Sequence, residues 1–157
     1  MDILKLLDEL HIPYEKTEHE PVYTVAESRE LHIADTLEGS PCKNLFLKSK
    51  KGEFFLLVLP AEKRADLKQV AASLGLPRLS FASEQELLDI LSLHPGSVTP
   101  LSLVNDTEKK VTLILDGSLE GGRLLLHPNT NTATVSLAFA DLLQFIRYVD
   151  HSCLMLM

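Results

Sequence analysis

Three short polar stretches interrupt an otherwise apolar sequence, and each holds residues able to act on an ester or a phosphate. The first is Pro41-Cys42-Lys43-Asn44. A neighbouring ammonium lowers a thiol pKa, so Cys42 beside Lys43 is a candidate nucleophile. A cysteine hydrolase would also need a histidine and an orienting group near it in space. The plainer reading is a small, half-buried thiol packed near a strand. Lys43, just ahead of Asn44-Leu45-Phe46-Leu47, could hold a phosphate or a carbonyl at the mouth of a sheet, or it is a strand-edge lysine in water. The second stretch, residues 94–100, lies between Pro95 and Pro100. The backbone N–H groups of its Gly96-Ser97 step are a candidate anion nest, against the reading of an ordinary turn. The third is His127-Pro128-Asn129-Thr130-Asn131-Thr132, crowded with hydrogen-bonding groups. It is also readable as an Asn-rich turn with a surface histidine.

Other chemistries find little support. Six histidines are scattered, with no HExxH and no Cys/His cluster at zinc spacing, so no metal is expected. GxGxxG and GxxxxGK[ST] are absent, so neither common nucleotide-phosphate loop is present and no cofactor is expected. Residues 96–100 lack the second glycine of a serine nucleophile elbow.

The elements that must position these stretches follow from periodicity. Ile3, Leu6, Leu7 and Leu10 fall on one helical stripe that Pro13 ends. Residues 14–18 read as a short strand. Thr24-x-x-Glu27 is a capping box for a helix to about Leu31. Residues 44–48 and 53–59 read as a hairpin around Ser49-Lys50-Lys51-Gly52, the second strand apolar enough to be buried on both faces. A helix over residues 65–74 stops at Gly75. A strand over 79–81 precedes a second capping box, Ser83-x-x-Glu86, opening a helix to about Leu91. Residues 101–104 and 111–115 read as another hairpin. Residues 124–126 and 132–137 flank the His127 turn, and a helix over 138–149 closes the pattern. The sum is an α/β fold: a mixed, largely antiparallel sheet or barrel surrounded by helices, in a single domain over residues 1–157. The tail at 150–157 is expected to be frayed or a contact surface.

Composition agrees with a globular chain: 157 residues, 45% hydrophobic and 24% charged. No apolar run approaches the roughly 20 residues of a membrane span, and the N-terminus lacks a secretion signal. Two cysteines far apart give no disulfide framework, so a cytoplasmic location is expected. The net charge of −7 hides an asymmetry. Residues 41–78 hold eight Lys and Arg against three Asp and Glu, which leaves the remainder at −12. Such a chain does not coat long nucleic acid and is not expected to bind DNA along its length, but one basic face could hold one end of a nucleic acid.

Taken in order, Lys43-Asn44-Leu45-Phe46-Leu47, Leu59-Pro60-Ala61-Glu62-Lys63-Arg64, Leu79-Ser80-Phe81-Ala82-Ser83, Pro95-Gly96-Ser97-Val98-Thr99-Pro100, Asn105-Asp106 and His127-Pro128 with Asn131 resemble the YbaK/prolyl-tRNA synthetase-associated domain family. Within it the chain is most similar to the freestanding PrdX/ProXp-ala type. The likeness runs from about Leu4 to Val149.

The resemblance implies a metal-independent aminoacyl-ester hydrolase that removes alanine from mischarged Ala-tRNA(Pro) and so proofreads prolyl-tRNA synthetase. An apolar pocket shaped for proline cannot strongly reject a smaller side chain, so a second, smaller sieve is needed. The implied partners are the acceptor end of tRNA(Pro) and prolyl-tRNA synthetase itself. The essential lysine of the family falls on Lys43, implied to fix the terminal adenosine phosphate or the ester carbonyl. Asn44 is implied to bind substrate. Gly96 and Ser97 are implied to present donors to the developing oxyanion. His127 is implied to position substrate or water, with Asn131 supporting its turn. The family uses no covalent nucleophile, which makes Cys42 dispensable for chemistry. Relatives that deacylate Cys-, Ser- or Thr-tRNA share the lysine and the Gly-Ser loop, so those residues do not choose the amino acid. A non-catalytic module that binds tRNA or a synthetase is the reading from another class.

Overall fold

The computed structural model describes residues 2–21 and 37–157. The helix expected near residues 24–31 lies outside them.

The first helix, α1 (Ile3–Glu9), starts where the Asp2 carboxylate accepts the Leu4 and Lys5 N–H groups, and it buries Ile3, Leu6 and Leu7. After it comes β1 (Glu15–Glu18). Strand β2 (Ser40–Ser49) begins earlier than its apolar run, at the polar stretch around Lys43. It turns through Gly52, whose φ of 86° suits a residue without Cβ, into β3 (Phe54–Pro60). Helix α2 (Leu67–Leu74) is capped by Asp66 and stopped by Gly75 in the left-handed region. Strand β4 (Leu79–Phe81) and helix α3 (Glu84–Leu91) follow, and both bonds of the Ser83–Glu86 capping box are formed. The rest is β5 (Val111–Asp116), β6 (Arg123–Leu126), β7 (Ala133–Ala138), α4 (Phe139–Tyr148) and β8 (Cys153–Leu156).

Among the described residues the eight strands form one sheet in the order β1-β7-β6-β2-β3-β5-β8, with β4 pairing β2 off that path. The sheet is mixed: β1–β7, β2–β3, β2–β4 and β6–β7 are antiparallel, and β2–β6, β3–β5 and β5–β8 are parallel. Strand β3 lies between two partners and residues 55–59 are buried throughout, as its unbroken apolar run requires. Alternation sorts its side chains. Leu56 and Val58 join Phe46, Leu113 and Leu115 in a large core with α1, α3 and α4, while Phe55, Leu57 and Leu59 join Leu47 and Ile114 in a smaller one under α2.

Two expectations fail. Residues 101–104 are no strand: Pro100–Asn105 is a 3-10 helix, so the hairpin with 111–115 does not form. Pro100 fits its first turn, Thr99 caps it, and Ser102 Oγ donates to the Thr99 carbonyl at 2.6 Å. Leu101, Ser102 and Leu103 are all fully buried, and an alternating strand with one solvated face would expose the middle one. Strand β5 pairs instead with β3 and β8. The tail is not frayed either. Strand β8 adds to β5, Leu154 and Leu156 pack on the smaller core, and Cys153 and Met155 pack on the larger.

Candidate functional site

The first and third polar stretches meet where the sheet divides. Strand β2 pairs with β6 at two positions, Ser40–Leu124 and Pro41–Leu125, and then continues with β3, joined by β4 only from Leu47 onward. Two residues past the last of these pairs stand Lys43 on one strand and His127 on the other. Parallel neighbours that diverge at a strand's carboxyl end leave a crevice, the usual place for a ligand in an open α/β sheet. Lys43 lies opposite Leu59 and Asn44 opposite Val58. By alternation Lys43 continues the α2-facing row of Leu45 and Leu47, and Asn44 continues the core-facing row of Phe46.

Lys43 is half-buried, and its ammonium has no hydrogen-bond or ion-pair partner among the described residues. The lysines around it are held. Lys48 bonds both oxygens of Glu86, and Lys63 both oxygens of Asp116 at 3.1 and 2.9 Å. Burial would raise the Asp116 pKa, but hydrogen bonds from Ser118 and Lys63 outweigh it and leave the carboxyl lowered. The Asn44 Oδ1 is buried and has no partner among the described residues, a condition that costs about 1–3 kcal/mol for a neutral acceptor. Asn129 Oδ1 is in the same position.

His127 is fixed by its own turn. Its Nδ1 lies 3.1 Å from the Ala133 carbonyl, which can only accept, so Nδ1 carries the proton and the neutral ring keeps its lone pair on Nε2. Burial lowers its pKa, the bond to Ala133 opposes that, and nearby His19 lowers it further. The ring is therefore an acceptor at neutral pH. In the same turn Thr130 and Thr132 hydroxyls bond each other at 3.0 Å, Asn129 takes a left-handed φ of 61°, and Asn131 is half-buried.

The structure reverses one expectation about Cys42. Its pKa is pushed up to about 12, chiefly by burial, with the Asp116 charge adding to it. The Leu125 backbone opposes the rise, and the adjacent Lys43 does not reverse it. Both cysteines are free. Gly96 and Ser97 are half-buried, and Gly96 takes a φ of 94°. The Ser97 N–H donates to the His94 carbonyl at 3.2 Å and closes the turn. No described hydrogen bond joins this loop to Lys43 or His127; it is tied to them through the core that Val98 and Cys42 both pack against.

The model of the aminoacyl-tRNA editing domain family matches residues 19–145, a span containing Lys43, Asn44, Gly96, Ser97, His127 and Asn131. The chain belongs to the aminoacyl-tRNA editing domain family. The editing domain is 37% identical to the prolyl-tRNA editing protein ProX of Acetoanaerobium sticklandii, over 92% of this chain and 88% of that one. It is 39% identical to prolyl-tRNA synthetase associated domain-containing protein 1 of Danio rerio, over 97% of this chain and 85% of the relative. The crystal structure of hypothetical protein APE2540 shares its fold at a TM-score of 0.75 and 16% identity, covering 99% of this chain and 98% of the other.

Spacing alone did not single out His19, which the editing domain places against His127, ring centroids 6.3 Å apart and planes inclined at 62°. The two are 108 positions apart in sequence, and only the β1–β7 pairing joins them. Asn105 and Asp106, quoted above for their resemblance, serve packing. Asn105 donates to the Leu91 carbonyl, and Asp106 accepts from Lys110, Val111 and His151. No helix of the described residues is long and apolar enough to cross a membrane, and no three His, Cys, Asp or Glu among them converge on a common point.

Proposed function

We propose that the protein is a trans-editing deacylase that hydrolyses mischarged Ala-tRNA(Pro) to alanine and tRNA(Pro), in the cytoplasm alongside prolyl-tRNA synthetase, with residues 1–157 acting as one editing unit. The observation that carries this reading is the juxtaposition at the sheet split: Lys43, without a partner among the described residues, beside a neutral His127 whose Nε2 can only accept.

Water attacks the ester carbonyl carbon, a new C–O bond forms, and the bond to the ribose oxygen breaks. His127 Nε2 accepts a hydrogen from the attacking water or from the free ribose hydroxyl and orients it. The leaving ribose oxygen ends as a hydroxyl. Lys43 binds the terminal phosphate or the ester carbonyl. In this reading the Gly96-Ser97 turn supplies backbone donors to the oxyanion, for which the Ser97 N–H exchanges the His94 carbonyl for the substrate; such donors are worth a few kcal/mol in hydrolases generally. Asn44 supplies a buried acceptor for substrate, and Asn131 supports the His127 turn. A thiol at about 12 is protonated at neutral pH, so Cys42 has no part in the reaction.

The RNA approaches over the basic face. Lys50, Lys51, Arg64, Lys68 and Arg78 are exposed and have no ion-pair partner among the described residues. Arg64, Lys68 and Arg78 line one groove beside α2. The names of the relatives point to the proline system. The choice of alanine rests on the whole-chain resemblance. It is tested by offering the protein tRNA(Pro) charged with alanine, proline, cysteine or serine. Release of alanine with proline spared is expected. Release of cysteine or serine instead would replace the amino acid assigned, and no release at all would leave a binding module.

A further inference from the structure

We propose that His19 is a positioning residue for His127: held at both of its ring nitrogens, it presses edge-on against the His127 imidazole and walls it off from the neighbouring pocket. The proposal rests on the deacylase reading for its kinetic consequence and on the geometry for the rest.

His19 is bound on three sides. Its backbone N–H donates to the Thr132 carbonyl at 2.9 Å. Its Nδ1 lies 2.7 Å from the Glu20 carbonyl, so Nδ1 carries a proton. Its Nε2 lies 2.8 Å from Thr134 Oγ1, a buried hydroxyl on β7. A neutral His19 accepts that hydroxyl's hydrogen. Both ring atoms that could swing the plane are tied, one to the end of β1 and one to β7. The contact with His127 at 62° is the edge-to-face arrangement aromatic rings prefer. The bond from Nδ1 to the Ala133 carbonyl leaves the His127 ring free to pivot about that single point. His19 supplies the second point.

Beside His19 lies a pocket of about 510 Å³ whose lining includes Ile3, Leu4 and Ala133 together with the charged Asp2, Lys16 and Glu18. Lys16 and Glu18 pair with each other at 3.3 Å, so the charges nearest the wall largely cancel. The His19 ring stands among the lining groups, with the carbonyl-bearing Ala133 beside it. Removing the ring opens this volume toward His127. Water would then hydrate the imidazole and compete for its proton. His127 would lose its fixed tautomer, and the burial that lowers its pKa would be relieved.

The test is NMR of the full chain, reading the His127 tautomer and titration from long-range nitrogen–proton couplings, beside single-turnover deacylation of Ala-tRNA(Pro). In the wild type His127 should be the Nδ1–H form and titrate below an ordinary imidazole. His19→Ala should mix the tautomers, raise the titration point, and lower kcat by about five- to tenfold with KM unchanged. His19→Phe, which keeps a ring edge, should recover most of the rate. Thr134→Val, which frees the ring, should fall between them. A folded His19→Ala variant whose His127 tautomer, titration and pH–rate profile match the wild type would overturn the proposal. If the wild type hydrolyses no ester, the deacylase reading fails, and the NMR comparison still decides whether His19 holds His127.

Discussion

Replacing Asp106 should detach the C-terminal strand and cost more stability than any other single change outside the large core. The Asp106 side chain is 2% exposed and that of His151 is fully buried. The carboxylate accepts the Lys110 and Val111 N–H groups at 3.1 and 2.8 Å and meets His151 Nε2 at 3.0 Å. His151 Nδ1 in turn lies 3.0 Å from the Val149 carbonyl, and Lys109 Nζ bonds the same carbonyl. This knot joins the start of β5 to the start of β8. Asp106→Ala removes one partner and leaves the buried imidazole and the two N–H groups without their acceptor. Breaking a buried pair in this way costs roughly 3–5 kcal/mol. For a chain of this size that lowers Tm by about 10 °C. Lys110 N–H is held by Oδ1 and Val111 N–H by Oδ2, so Asp106→Asn keeps an acceptor for only one of them and should cost about 1–3 kcal/mol, less than the alanine variant. The assay is urea unfolding with amide exchange on Leu113 and Leu115, which flank β8. Rapid exchange there in Asp106→Ala, with slow exchange kept in β6 and β7, is the expected pattern. A loss below about 1 kcal/mol, or exchange unchanged along β5, would refute the reasoning.

Other outcomes follow from the site. Cys42→Ala should deacylate at the wild-type rate, and the native thiol should resist iodoacetamide at pH 8, because its pKa is about 12; fast labelling would contradict the burial argument. His127 has a lowered pKa, so its lone pair is present above the ordinary imidazole range and is lost only as pH falls through a value below it. The single-turnover rate should therefore be flat through neutral pH and break on the acid side of about 6.5, an effect His127→Ala abolishes. Charge reversal of Lys68 with Arg78 in the groove should raise KM for charged tRNA and flatten its salt dependence, leaving the rate on a minimal aminoacyl-adenosine unchanged. Equal KM values at all salt concentrations would move the RNA to another face.

Much of the fold was legible because local and global signals agreed. The apolar run from Phe54 to Leu59 could only be a central strand. Gly75 closed α2, and Ser83 with Glu86 opened α3, whereas the Asp66 cap that starts α2 two residues later than its periodicity was not read. The failures have one cause, tertiary burial overriding local pattern. Leu101 and Leu103 alternate like a strand, yet both are buried in a 3-10 turn whose ends are fixed by Thr99 and Asp106. Residues 153–156 carry no strand signal beyond being apolar, and they become β8 because His151 reaches back to Asp106. The candidate site divides the same way. Lys43 and His127 were visible as polar interruptions beside apolar strands. The Lys63–Asp116 pair and the His19 contact join residues more than 50 positions apart, and no spacing rule reports such a meeting. Cys42 had two readings in the sequence, because sequence shows the ammonium next to it and not the burial around it, and the burial favours the packed thiol.

The most direct test of the central claim is single-turnover hydrolysis of Ala-tRNA(Pro) by the wild type and by Lys43→Ala, at matched concentrations of folded protein. Lys43 has no partner among the described residues, so its removal should leave the urea midpoint unchanged. The account predicts alanine release by the wild type and a loss of at least roughly a hundredfold in the variant. A folded Lys43→Ala protein that releases alanine as fast as the wild type would contradict it.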